Sequence, residues 1–335
     1  MAAKVLKILG ILVLIVVALG AIAYLWAKGV ATRRYQTMWT AHDATFPIPY
    51  PLDPATIDSL RKDRHAAGAP DLEPLAGVDL HALALERAQQ RGEHLVESRL
   101  ACDGCHGKDF GGGVIIDSPI VAYWAAPNLT SGQGSVTNGF SAHDWDLAVR
   151  HGIRHTGQSS SMPSKDFASV TDHELSDVIV YLKSRPPVDR LMPPVRLGPV
   201  FAFLVALDPK MLTAFTVDHQ KPHAVEPPTE AVTLEFGAHL VESCRGCHQQ
   251  NLAGGKVQGD PNMPIVANLT PDSTGLKGWT EADFVRALRE GKRPNGTAID
   301  KAMPWAWYRK MNDVEIGALW LYLQSLPPVP KGKRT

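Results

Sequence analysis

Cys102-Asp103-Gly104-Cys105-His106 and Cys244-Arg245-Gly246-Cys247-His248 decide the reading of this chain. Both spell C-x-x-C-H, the spacing that attaches a c-type haem. Residues three and four apart share one face of a helix. Two thiols so placed reach the vinyl groups at one edge of a porphyrin, and the imidazole that follows points at its iron. Paired zinc motifs lie about 15–20 residues apart, whereas roughly 140 separate these two. A dithiol redox pair belongs in a βαβ setting and has no use for the His. Zinc and dithiol chemistry are therefore the minor readings. All four cysteines of the chain are used by the two motifs, which leaves none for a disulfide. Two covalently bound haem c groups are expected, one at Cys102, Cys105 and His106, the other at Cys244, Cys247 and His248.

Around these motifs the chain repeats itself. Gly92-Glu-His-Leu-Val-Glu-Ser98 leads to the first and Gly237-Ala-His-Leu-Val-Glu-Ser243 to the second, with Arg99, Leu100 and Ala101 extra in the first copy. Asn128-Leu129-Thr130 answers Asn268-Leu269-Thr270. Helices starting at Ser141 and Thr280 open on a capping hydroxyl and close on a glycine. Helices starting after Thr171 and Asn312 carry capping-box patterns with Glu174 and Glu315. Leu175, Val178, Ile179 and Leu182 share a face of the first, and Ile316, Leu319, Trp320 and Leu323 a face of the second. Both end at Pro-Pro-Val. One small helical haem domain occurs twice.

An iron held by His requires a second axial ligand or an open position. Met162 and Met303 lie about 55 residues after their histidines, match across the repeat, and each precede a proline that biases the backbone away from helix. They are expected as metal ligands beside His106 and His248. Met38, Met192, Met211 and Met311 read as core filler. Met263 lacks a counterpart in the first copy. His–Met ligation raises the reduction potential and closes the iron to substrate, which favours electron transfer over catalysis.

The 335 residues allow two or three domains, and 34 Lys plus Arg balance 34 Asp plus Glu, so nothing points to nucleic acid. Ile8 to Ala27 is an uncharged apolar run of bilayer length. It is longer than a signal-peptide core and continues through Tyr24 and Trp26, so an uncleaved anchor is expected. Thioether attachment takes place outside the bacterial cytoplasm, which places the N-terminus inside. The expected organisation is an anchor over 1–27, a Pro-rich tether over 28–80, a haem domain over 81–190, a strap over 191–230 and a second haem domain over 231–330. The fold expected is all-α: two tandem cytochrome-like domains after one N-terminal transmembrane helix. A short helix from Pro54, capped by Asp53, fits the tether. His42 and His65 in the tether read as ordinary surface or packed histidines, because no partner shares their spacing. The apolar run Val200–Leu207 reads as a strap packed against both haem domains, with contact to a membrane or partner as the alternative.

On CDGCHGKDFGGG and CRGCHQQNLAGG, PNLT and ANLTPD, REGKRPNGT, KAMPW and LWLYLQSLPPV, the chain resembles the class I c-type cytochromes. More closely, it is similar to the membrane-associated cytochrome c subunits of periplasmic alcohol or sugar-acid dehydrogenases. It departs from these in having two haem motifs where they commonly have three, and an N-terminal rather than C-terminal anchor. The resemblance implies an electron carrier rather than an enzyme. It would pass single electrons from a dehydrogenase or quinol-oxidising complex to a soluble cytochrome or terminal oxidase, on the periplasmic face of the bacterial inner membrane. The alternative is a dihaem enzyme, a peroxidase or thiosulfate-type oxidoreductase, with one exchangeable iron position.

Overall fold

The computed structural model describes residues 2–66, 75, 77–257 and 263–333. In chain order the helices and strands are α1 (Ala2–Tyr35), α2 (Pro54–Ala66), α3 (Leu80–His94), α4 (Asp103–His106), β1 (Gly113–Ser118), β2 (Ala122–Ala126), α5 (Ala142–Asp146), α6 (Asp172–Ser184), β3 (Arg196–Leu197), α7 (Pro199–Leu207), α8 (Leu234–Val241), α9 (Arg245–His248), α10 (Glu281–Glu290), α11 (Trp305–Tyr308) and α12 (Asp313–Ser325). α1 is long and apolar enough to cross a membrane over Lys4–Tyr35. It runs past the uncharged stretch because Ala27 and Ala31 are buried where it meets the rest of the protein, Ala31 packing with Phe201, Ala202 and Val205 of α7. Arg34 Nη1 donates to Val205 O at 2.5 Å. α2 begins as expected, with Thr56 N donating to Asp53 Oδ1 at 2.8 Å.

Each repeat is a pair of crossed helices around its own apolar core, α3 on α6 and α8 on α12. The glycine that opens each leader sits at the crossing. A Cβ on Gly92 would lie 2.1 Å from Asp177 O, and one on Gly237 would lie 2.2 Å from Ala318 O. Capping boxes form at Ser141–Asp144, Thr171–Glu174, Thr280–Asp283 and Asn312–Glu315. Gly152 and Gly291 take φ of 67° and 66° to end their helices. The Asn-Leu-Thr loops explain why Pro-Pro-Val repeats. Asn128 Nδ2 donates to Val188 O at 2.6 Å and Asn268 Nδ2 to Val329 O at 2.7 Å, while the Val188 and Val329 amides donate to Thr130 and Thr270 hydroxyls. The three extra residues of the first copy are absorbed by a wide π turn over Leu95–Leu100 and left-handed Ala101, where the second copy makes a tight 3₁₀ turn over Glu242–Cys244.

Two expectations are corrected. The protein is mainly helical but not all-α: β1, β2 and β3 form an antiparallel sheet in order, built on the β-branched and aromatic residues between Gly113 and Ala126. Among the described residues, the apolar run of the strap joins a cluster with the first haem domain and not the core of the second. As α7 it packs against α1 and β2, joining the N-terminal helix to the first repeat.

The two repeats face each other reciprocally. His94 Nε2 lies 2.8 Å from Glu315 Oε2, and its repeat mate His239 Nε2 lies 2.8 Å from Glu174 Oε1. Each leader histidine thus reaches the capping glutamate of the other repeat, the self-complementary pattern of a twofold pair inside one chain. Burial opposes the charge on Glu174, yet the Arg99 guanidinium and the His239 ring hold its carboxyl down at about 2. The bond to Glu315 raises His94 above its ordinary 6.5, against the opposing pull of burial.

Gly237→Ala gains helix propensity of about 0.5–1 kcal/mol. A clash with backbone at that crossing costs more, so a net destabilisation of about 1–3 kcal/mol is expected in chemical denaturation. A raised histidine contributes fully below its unfolded pKa and loses the contribution as pH climbs through its folded value, whereas a depressed glutamate loses its contribution only in acid. The contribution of the His94–Glu315 pair to the melting temperature should therefore fall as pH rises from about 6 to about 8. The buried histidines whose pKa is depressed contribute with the opposite sign. Glu315→Gln should lower the melting temperature at the acid end and flatten the pair's slope in calorimetry.

Candidate haem sites

α4 and α9 are single helical turns that carry the motif residues. His106 N donates to Cys102 O at 2.9 Å, which sets the first Cys and the His one turn apart. The chain then reverses through Gly107 at φ 79° and, in the second copy, Gln249 at φ 70°. The next turns repeat too: Phe110 and Leu252 take φ of 56° and 59°, and accept from the amides of Leu129 and Leu269. This loop path delivers a backbone carbonyl to each imidazole. His106 Nδ1 donates to Pro127 O at 2.9 Å and His248 Nδ1 to Ala267 O at 2.8 Å. With Nδ1 carrying the proton, Nε2 is the free lone pair, the tautomer an iron ligand requires. Both rings are buried, and burial pushes both pKa values down, so the imidazoles are neutral.

Burial also pushes the Cys102 thiol up to about 12 and Cys244 up to about 11. Dithiol exchange runs through the thiolate, so these are poor redox nucleophiles. Cys102 and Met162 both pack against the first core, and Cys244 and Met303 both pack against the second. The two methionines sit in the same turn. Ser164 N donates to Met162 O and Trp305 N to Met303 O, both at 2.8 Å, across Pro163 and Pro304 with ψ of 54° and 44°. That is the inverse γ-turn, set by the proline ring in each copy. Trp145, 2% exposed, has an indole Nε1–H with no partner among the described residues, a donor that a bound polar group would satisfy. The residues present fit a haem in each repeat.

The motifs also meet each other's methionine loops, which the sequence did not signal. Trp307, four residues after Met303, donates from Nε1 to Asp103 Oδ1 at 2.5 Å and covers Gly104. Asp166, four residues after Met162, lies against Gly246, where a Cβ would come within 2.2 Å of its Oδ1. Of the remaining methionines, Met311 is core, 2% exposed, but Met38 is 65% exposed and lies over Gly157. His42 is a half-buried histidine of the tether. It lies against His151 and His223, partners at sequence separations that no local spacing reveals. The side chain of His65 lies outside the described residues.

Cys247→Ala should impair covalent attachment in the second repeat alone, read by haem staining and mass spectrometry; loss of both haems would contradict two self-sufficient repeats.

A family model described as cytochrome c oxidase, cbb3-type, subunit III matches residues 87–182, and one described as cytochrome c matches residues 234–327. The chain is similar to the fructose dehydrogenase cytochrome subunit of Gluconobacter japonicus, 24% identical over 72% of this chain and 53% of the relative. It is 25% identical to the alcohol dehydrogenase (quinone) cytochrome c subunit of Gluconobacter oxydans, over 73% of this chain and 56% of the relative. With the gluconate 2-dehydrogenase cytochrome c subunit of Pantoea cypripedii the identity is 26%, over 75% and 63%. The chain thus spans a little over half the length of these relatives. Two repeats, each matched by a cytochrome c model and each built around its own C-x-x-C-H turn, make this chain a protein with two cytochrome c domains and two covalent haem c sites, homologous to the cytochrome c subunits of alcohol, fructose and gluconate dehydrogenases.

Proposed function

We propose that this protein is a membrane-anchored dihaem electron carrier whose irons are ligated by His106 and Met162 in a first domain over 81–190, and by His248 and Met303 in a second over 231–330. A bound haem iron supplies reversible one-electron chemistry, and the protein's part is to hold it, tune it and exclude substrate. The observation that carries the reading is the repeated constellation: a carbonyl-fixed imidazole, and a Met-Pro turn whose methionine packs against the same apolar core as the motif's first cysteine, present in both domains. A core methionine gains nothing from occupying a proline-locked turn twice. Two thioethers so placed close both irons to substrate and favour relay over bond-making chemistry.

The reciprocal packing supports transfer within the protein. Each motif turn touches the segment that follows the other domain's methionine, so the residues that would hold the two haems meet across the domain interface. α1 serves as the anchor, with the haem domains on the periplasmic side of the bacterial inner membrane. The electron source is a dehydrogenase or quinol-oxidising complex, and the acceptor a soluble cytochrome or terminal oxidase. The dehydrogenase reading draws on the printed names of the relatives.

Met303→Ala should leave both haems attached. It should lower one reduction potential by a sizeable part of the roughly 0.8 V range over which axial ligands act, in a spectroelectrochemical titration. It should also remove that site's weak red charge-transfer band from Met to iron. Unchanged potentials would strike Met303 from the ligand set, and an exchangeable position in the untouched protein would replace the relay with a dihaem enzyme.

A further inference from the structure

Away from both haem motifs, the fold collects His42 from the tether, Asp146 and His151 from the first haem domain, and His223 from the strap. One ligand atom from each lies within 4.8 Å of every other. Asp146 and His151 are fully buried, and His223 has a side chain 8% exposed. The rings crowd a common point, with centroids 5.4 Å apart for His42 and His151, 5.1 Å for His42 and His223, and 5.0 Å for His151 and His223.

The surrounding hydrogen bonds fix which atoms face inward. His223 Nδ1 donates to Ala168 O at 3.0 Å, so its Nε2 carries the lone pair. His219 Nε2 donates to Ala214 O at 2.8 Å, which leaves His219 Nδ1 as an acceptor. His151 Nδ1 is 3.0 Å from that acceptor and supplies the proton, so His151 Nε2 is also a lone pair. His42 Nδ1, 3.4 Å from His219 O, is turned outward in the same way. Between these rings lies Asp146 Oδ2, buried with no hydrogen-bond partner. Acceptors therefore meet acceptors. His151 Nε2 is 3.1 Å from His223 Nε2 and 3.4 Å from Asp146 Oδ2, and His223 Nε2 is 3.6 Å from Asp146 Oδ1. Such a convergence is unfavourable unless a positive charge sits at its centre. A tetrahedral ion with bonds of about 2.0–2.1 Å has ligand–ligand edges of roughly 3.3–3.4 Å, close to these separations.

The duplication provides an internal control. Arg150 binds Asp146 Oδ1 through Nε at 2.6 Å, and also pairs with Asp172 at 2.8 Å. The second domain keeps that second pair as Arg289 and Asp313, at 2.8 Å, but has Val285 and Glu290 where the first has Asp146 and His151. Capping the closing helix with an arginine pair is common to both repeats and needs neither residue. Asp146 and His151 occur only in the repeat against which His42 of the tether and His223 of the strap pack.

We propose that His42, Asp146, His151 and His223 bind a divalent first-row transition-metal ion, zinc foremost, which fastens the tether and the strap to the first haem domain. Three imidazoles and one carboxylate are a donor set suited to such an ion. Each inward-facing histidine has its outward N–H held by a carbonyl or by His219, the support that metal-bound imidazoles ordinarily have.

The test uses the full-length, haem-loaded protein in detergent, equilibrated with zinc sulfate, desalted, and analysed for zinc and iron by plasma mass spectrometry. About one zinc for the two haem irons is expected, with a zinc-edge X-ray absorption shell of nitrogen and oxygen alone at about 2.0–2.1 Å. His223→Ala should cut zinc content roughly tenfold or more with haem content unchanged. His42→Gln, on the half-buried tether, repeats the comparison should His223→Ala fail to fold. Protein that holds no zinc after equilibration would overturn the proposal. Zinc that survives both substitutions, or a shell containing sulfur, would overturn it as well.

Discussion

A carbonyl that takes the proton side of an imidazole is the constraint on which both haem sites depend. Pro127 O and Ala267 O fix the histidine rings in one tautomer and one orientation, with Nε2 free. Much of the surrounding loop serves to put those carbonyls in place. Positive-φ turns at Gly107 and Gln249 reverse the chain, and Phe110 and Leu252 each accept the amide that begins the Asn-Leu-Thr segment. The Asn and Thr side chains then tie down the Pro-Pro-Val that ends the closing helix. Residues spread over most of a domain thus converge on the position of one ring, and they do so twice.

Duplication shapes the interface as well as the domains. When two copies of a surface meet about a twofold relation, a favourable contact is made twice. Here the contact is a leader histidine against a capping glutamate, so one carboxylate both closes its own helix start and receives the opposite domain. Arg99, one of the three residues extra in the first copy, breaks the symmetry by adding a cation at 2.8 Å from Glu174. The first domain departs further through its sheet and its collected histidines, both on the side where tether and strap arrive.

The haem motifs, the repeat, the capping boxes and the paired methionines were legible because each is local: a spacing of a few residues with a direct chemical meaning. The crossing glycines were visible as repeated letters, but their role depends on Asp177 O and Ala318 O, which lie far along the chain. The sheet was not legible because its strands are short and the third, Arg196–Leu197, comes from a distant part of the chain. Val200–Leu207 was read for its apolarity correctly, yet its partner, the alanine face of α1, carries no pattern that names it. His42 fared worst. Its neighbours are supplied by three separate segments, and no periodicity joins residues 42, 146, 151 and 223.

The continuation of α1 beyond its apolar run has a mechanical meaning. Residues 28–35 extend the helix by roughly 12 Å, and α7 braces that extension against the first domain. For a helix embedded in a bilayer, this makes the link a short mast rather than a cord. The haem domains would keep one height and one heading above the lipid surface instead of sweeping a wide volume. A diffusing partner would then meet the same face at the same elevation on every encounter, and a membrane-bound partner would find its docking height already set by the number of helical turns between the lipid and Tyr35.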